Sequence, residues 1–150
     1  MKYDDASWHY GGDFPEHAPI ENGGIHIALY LKWAFLKGWA GEIHLEEDES
    51  EVDKVLSSEM TATEYFFKYC DGKLTDEDFN SDGVAVANRY YGDDGLYLDD
   101  YANSIDDDLY TISEEQHDFE KLYKIMNSRL ESGILTNEDL KNKKPKWKFW

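Results

Sequence analysis

Gly24-Ile25-His26-Ile27-Ala28-Leu29-Tyr30-Leu31-Lys32-Trp33-Ala34-Phe35-Leu36-Lys37-Gly38 is apolar on nearly every side of a helical projection. Ile25, Leu29, Trp33 and Leu36 recur at helical intervals, and Ile27, Leu31 and Phe35 widen that stripe almost all round. Such a helix has no face to offer water, so it belongs at the centre of a domain with the other elements wrapped around it. Asn22 is the expected N-cap and Gly38 the expected stop.

Capping signals announce the surrounding helices. Thr61 with Glu64 reads as a capping box ahead of Tyr65, Phe66 and Tyr69, predicting a helix over 62–71 that stops at Gly72. Thr75 with Asp78 opens a short turn, and the stretch from Asp82 to Tyr91 carries Val84, Ala87, Tyr90 and Tyr91 before Gly92. Ser113 with Gln116 predicts a helix over 114–131, ending at Gly133. Glu42-Ile43-His44-Leu45-Glu46 alternates polar and apolar, the pattern of a short strand. The first 24 residues, rich in Gly, Asp and aromatic rings, read as mostly irregular, pinned by Tyr3, Trp8, Tyr10 and Phe14. With no repeat and no Gly/Ser/Pro-rich linker, the expectation is a mainly α fold, all-α or α-dominated α+β. It forms one compact helical domain over 1–140, with an irregular aromatic-rich N-terminus and a basic aromatic tail over 141–150.

At 150 residues the chain suffices for one core that buries about two-thirds of the unfolded surface. Its 41% apolar share includes 23 aromatic residues, which argues for a core of large rings and against disorder. The formal charge of −18 is unevenly spread: residues 1–40 carry −2, residues 41–110 carry −17 and residues 111–150 carry +1. An acidic field of this kind repels nucleic acid and anionic membrane and attracts basic proteins, although a charge run is also the ordinary way to solvate a surface. No apolar run is long enough to span a membrane, and Met1-Lys2-Tyr3-Asp4-Asp5 lacks the features of a signal peptide, so the expected location is the cytoplasm. Cys70 is the single cysteine. It excludes an intrachain disulfide, and its neighbours Tyr69 and Asp71 offer no base to activate it, so it reads as a structural thiol. The tail Lys141-Asn142-Lys143-Lys144-Pro145-Lys146-Trp147-Lys148-Phe149-Trp150 fits three descriptions: a frayed end, a strap folded on the acidic middle, or a contact for anionic partners.

Asp78-Phe79-Asn80-Ser81-Asp82-Gly83 matches the first half of a calcium loop, but Val86 and Arg89 stand where its later oxygen ligands belong. These acids are read instead as caps and turn formers. The histidines at positions 9, 17, 26, 44 and 117 form no pair at metal-binding spacing and have no cysteine nearby in sequence, so no zinc site is expected. His26, inside the apolar helix, reads as a satisfied core histidine. There is no phosphate loop, dinucleotide fingerprint or nucleophile elbow. No catalytic residue, no metal and no cofactor is therefore assigned. The enzymatic alternative is a small enzyme whose polar pocket joins Trp8, His9 and Asp13 to His26 and His44, or a hydrolase drawing on the many carboxylates.

Between Tyr90 and Tyr110, tyrosines alternate with acids, a combination suited to a basic protein surface because rings supply contact area and carboxylates accept from Arg and Lys. Asp93, Asp94, Tyr97, Asp99, Asp100, Tyr101, Asp106, Asp107 and Asp108 are the expected partner-binding residues. The competing description places the tyrosines in the core and the acids in water.

Lys2-Tyr3-Asp4-Asp5-Ala6-Ser7-Trp8-His9-Tyr10-Gly11-Gly12-Asp13-Phe14-Pro15 resembles the opening of a family of small acidic bacterial proteins. The resemblance continues through Gly24, His26, Trp33, Gly38, Gly41-Glu42, His44-Leu45, Cys70-Asp71-Gly72-Lys73-Leu74 and Tyr97-Leu98-Asp99-Asp100-Tyr101, over roughly residues 2 to 130. The basic tail lies outside it. Members are similar to immunity proteins of polymorphic toxin systems, which implies a cognate toxin as partner and brings no established catalytic residues to carry over. The acidic field of this chain calls for a basic surface on that partner, an active-site cleft that the chain would cover. A general interaction module, monomeric or homodimeric through the tail and the acidic middle, is the remaining alternative.

Overall fold

Helix α1, Ile25–Leu36, runs through the middle of the molecule with ten of its twelve residues buried. The computed structural model describes residues 1–11, 14–93, 95–105, 110–133 and 135. Gly38 ends the helix with φ +81°, as its position predicts. Asn22 is not the N-cap. Gly24 holds that position without a side-chain bond, while Asn22 lies in a 3₁₀ turn, Ile20–Gly24, and donates from Nδ2 to the Tyr110 carbonyl at 2.8 Å. A Cβ on Gly24 would sit 2.7 Å from the Phe67 ring, so only glycine lets the next layer close over the head of α1.

Around α1 pack α2 (Glu42–Glu47), α3 (Glu49–Leu56), α4 (Ala62–Tyr69), α5 (Ser81–Ala87), α6 (Leu96–Asn103) and α7 (Phe119–Glu131). A π-helical segment, Asn88–Asp93, continues α5. The domain is helix-dominated, with one small sheet among the described residues. Strands β1 (Lys2–Asp5) and β2 (Lys73–Thr75) pair antiparallel in the register Asp4↔Leu74 and Asp5↔Lys73. The opening segment is thus more ordered than its composition suggests, with a strand followed by a 3₁₀ turn over Ala6–His9. Among the described residues no helix is long and apolar enough to cross a membrane.

The strand expected at 42–46 is helix α2, because its alternation was read with the wrong side inward. His44 is the buried residue, whereas Ile43 and Leu45 are 41% and 46% exposed. Elsewhere the capping signals hold in part. Thr61 Oγ1 accepts from the Glu64 N–H, but the first amides of α4 are met from across the fold, where the Glu114 carboxylate accepts from Ala62 N at 2.9 Å and Thr63 N at 2.7 Å. The Thr75/Asp78 box closes a 3₁₀ turn over Asp76–Asp78. The Ser113/Gln116 box also forms, yet it caps only Glu114–Gln116, and α7 starts afresh at Asp118, whose Oδ1 accepts from Lys121 N. Asn80 caps α5 through Gly83 N at 2.9 Å, in keeping with caps rather than a calcium loop.

The core is aromatic, as the composition predicts. Trp33, Tyr30, Tyr65, Tyr90, Tyr97, Tyr101 and Phe66 are fully buried. Tyr30 is the hub, meeting Tyr97 and Tyr91 edge-on at ring separations of 4.9 and 5.1 Å. Edge-to-face pairs add roughly 0.5–1.5 kcal/mol each beyond the area they bury.

Candidate functional site

Two histidine–carboxylate centres lie inside this shell of rings. Pairing of β1 with β2 turns the Asp4 side chain inward, the following 3₁₀ turn brings His9 back over it, and the first turn of α1 supplies His26. Asp4 Oδ1 accepts from His9 Nε2 at 2.8 Å and from the Asp5 N–H at 2.8 Å. Its Oδ2 accepts from His26 Nε2 at 3.2 Å and from the Tyr91 hydroxyl. Tyr110 OH lies 2.7 Å from His9 Nδ1, and the two imidazole rings stand 4.4 Å apart. Burial alone would raise the Asp4 carboxyl, but the bonds from His26, His9 and Tyr91 outweigh it and hold the group well below the usual carboxylate range. Burial lowers His26, against the pull of Asp4.

The second centre joins α2, the C-terminal end of α4 and the turn after β2. His44 Nε2 donates to Asp78 Oδ1 at 2.8 Å, while the Tyr65 hydroxyl meets His44 Nδ1 at 2.6 Å. Asp78 Oδ2 accepts from Thr75 N at 2.8 Å, so the capping box also aims the carboxylate. The Cys70 sulfur lies within 4.8 Å of the Asp78 carboxylate, and burial followed by the Asp78 charge pushes its thiol far up. A thiol shifted in that direction is no nucleophile unless a cation displaces its proton.

No two of these histidines stand at metal-binding spacing along the chain, and only the enzymatic alternative joined His9, His26 and His44. His9 and His26 do converge, but on Asp4; Asp13 lies outside the described residues, and Trp8 is 60% exposed with Lys2 over its ring. His44 belongs to the other centre. Neither centre lines the surface groove of about 580 Å³ beside Glu21, Thr63, Phe67, Lys68 and Glu114. Among the described residues, every buried side-chain nitrogen and oxygen has a hydrogen-bond partner.

The expected partner-binding segment is corrected where it is described. Tyr97, Asp100 and Tyr101 are buried at 0%, 2% and 1% exposure, so they present no surface to a partner. Spacing explains it: Tyr97, Asp100 and Tyr101 share the inner face of α6, leaving Asp99 and Leu98 outside. The Tyr97 hydroxyl donates to the His26 carbonyl, and Tyr101 meets His117 Nε2 at 2.5 Å. Asp100 is tolerated inside because Arg129 grips it with two 2.9 Å bonds and Tyr90 donates at 2.5 Å. Of the other expected residues, Asp94, Asp106, Asp107 and Asp108 lie outside the described residues, as does the side chain of Asp93.

A family pattern matches residues 2–116, the stretch that carries both histidine centres. The chain belongs to that family, described as Domain of unknown function (DUF7832). No curated protein and no solved structure matches it. The matched stretch ends before α7, although α7 supplies Arg129 to Asp100 and Asn127 to the Trp33 indole at 2.9 Å.

Proposed function

We propose that this protein is a cytoplasmic binding protein of the immunity type, not an enzyme, and that it neutralises a cognate toxin by covering a basic active-site cleft. The observation that carries this reading is the surface of α2 and α3. Residues 42–53 hold seven acids and no Lys or Arg, and Glu42, Glu46, Glu47, Glu49 and Asp53 are exposed around Ile43 and Leu45. His44, Val52 and Val55 anchor the two helices from beneath. Two aliphatic side chains ringed by carboxylates suit a partner with an apolar spot inside a basic rim: the charges speed encounter and the aliphatics slow release. Burial of Asp4, His26, His44 and Asp78 supports binding over catalysis, since a general acid or base must reach the proton it moves. The resemblance to immunity proteins supplies the class of partner.

The test titrates the chain against the toxin domain encoded beside it, at low and high salt. Reversing Glu46 and Glu49 to lysine is expected to weaken binding and flatten its salt dependence, and Leu45→Ala to raise the dissociation rate. Unchanged affinity and salt dependence in all three variants would reject this surface.

A further inference from the structure

His44, Cys70 and Asp78 each place one ligating atom, an imidazole nitrogen, a thiol sulfur and a carboxylate oxygen, within 4.8 Å of the other two. We propose that these three side chains form a zinc site. It shares His44 with α2 but uses none of the exposed residues of the α2–α3 binding surface, so either can fail without the other.

Charge is the first argument. Zinc at +2, the Asp78 carboxylate and the Cys70 thiolate at −1 each, and a neutral His44 ring sum to zero. A neutral site is what an interior demands where the His44 and Asp78 side chains are only 1% and 5% exposed. The Asp4 centre behaves differently: a divalent ion between one carboxylate and two neutral imidazoles would leave a buried positive charge, and that carboxylate already accepts four hydrogen bonds.

Geometry is the second. Tetrahedral zinc with bonds near 2.0–2.1 Å sets nitrogen and oxygen ligands about 3.3 Å apart. His44 Nε2 and Asp78 Oδ1 are now 2.8 Å apart across a hydrogen bond, so that edge of the site would open by about half an ångström on loading, while the Cys70 sulfur closes in from within 4.8 Å. The supporting shell is in place. With zinc on Nε2 the ring proton sits on Nδ1 and is donated to the Tyr65 oxygen 2.6 Å away, while Thr75 N–H holds the second Asp78 oxygen. Protons balance: the imidazole proton moves from Nε2 to Nδ1, and the thiol proton leaves, one released per ion bound. Cys70 is half-buried, which gives the metal a way in, and its sulfur selects zinc over magnesium and calcium.

The experiment uses the full chain stripped by chelator and titrated first with Co²⁺ alone, then with Zn²⁺. The expected result is a thiolate-to-cobalt charge-transfer absorption that saturates at one cobalt per chain and disappears on adding zinc. Zinc at a hundred times its Kd should slow reaction of Cys70 with a thiol reagent by about a hundredfold, and calcium should not. Cys70→Ser should lose the absorption; Asp78→Asn, which keeps an acceptor for Thr75 N–H, should weaken cobalt binding, with folding checked by circular dichroism. A folded wild-type chain lacking the absorption, or Cys70 reactivity that zinc leaves unchanged or calcium slows equally, would overturn the site. An unaltered cobalt spectrum in Cys70→Ser would do the same.

Discussion

Replacing Arg129 with methionine removes both guanidinium donors from the Asp100 carboxylate while keeping most of the apolar bulk of the side chain. The Asp100 side chain is 3% exposed and is held at 2.9 Å by Arg129 Nε and by Arg129 Nη2. After the change Oδ2 keeps the Tyr90 hydroxyl, but Oδ1 loses Arg129, the partner that spans from α7 to α6. Leaving a buried charge without its counter-ion costs about 3–5 kcal/mol. The Arg129 side chain is itself 34% exposed, so water reaches the gap and the expected loss falls to about 2–3 kcal/mol. For a chain of this size that lowers Tm by roughly 5–10 °C. Urea unfolding followed by circular dichroism measures it. The double variant Asp100→Asn with Arg129→Met should recover part of the loss, since no charge is then stranded. A single variant less than about 0.5 kcal/mol below wild type would refute the reasoning and detach α7 from the cooperative core.

Two further outcomes follow from the buried polar groups. Burial lowers both His26 and His117. The unfolded chain therefore binds more protons just below about pH 6.5, and stability falls as pH drops through that window toward the folded values, by at most about 1.4 kcal/mol per pH unit for His26. Asp4, held low in the fold, adds its own loss only below about pH 4, where the unfolded carboxyl protonates. Urea midpoints unchanged between about pH 7 and pH 5 would contradict this. Glu114→Ala strips the long-range cap from α4 and is expected to cost about 1–2 kcal/mol, with amide exchange speeding first at Ala62 and Thr63; protection unchanged at those amides would refute it.

What was readable along the chain was local. The Ile25–Leu36 run declared a central helix because its apolar residues leave no polar face, and the Thr61 and Thr75 caps placed turns within a residue or two because such bonds span three positions, whereas Ser113 capped a short 3₁₀ turn and not the helix that follows. Where reasoning failed, a polar residue faced inward. His44 inverted the parity of Glu42–Glu46, and Asp100 joined Tyr97 and Tyr101 on the inner face of α6.

The sequence by itself determined a helix-dominated domain with an aromatic core, since periodicity, capping and ring content act over a few residues. Only the tertiary structure decided which polar groups meet. His9 and His26 find Asp4, His44 finds Asp78 and Cys70, and Asp100 finds Arg129, over separations of 5 to 34 residues. A buried charge must be matched by whatever donor the fold brings within about 3 Å, and that donor carries no mark along the chain.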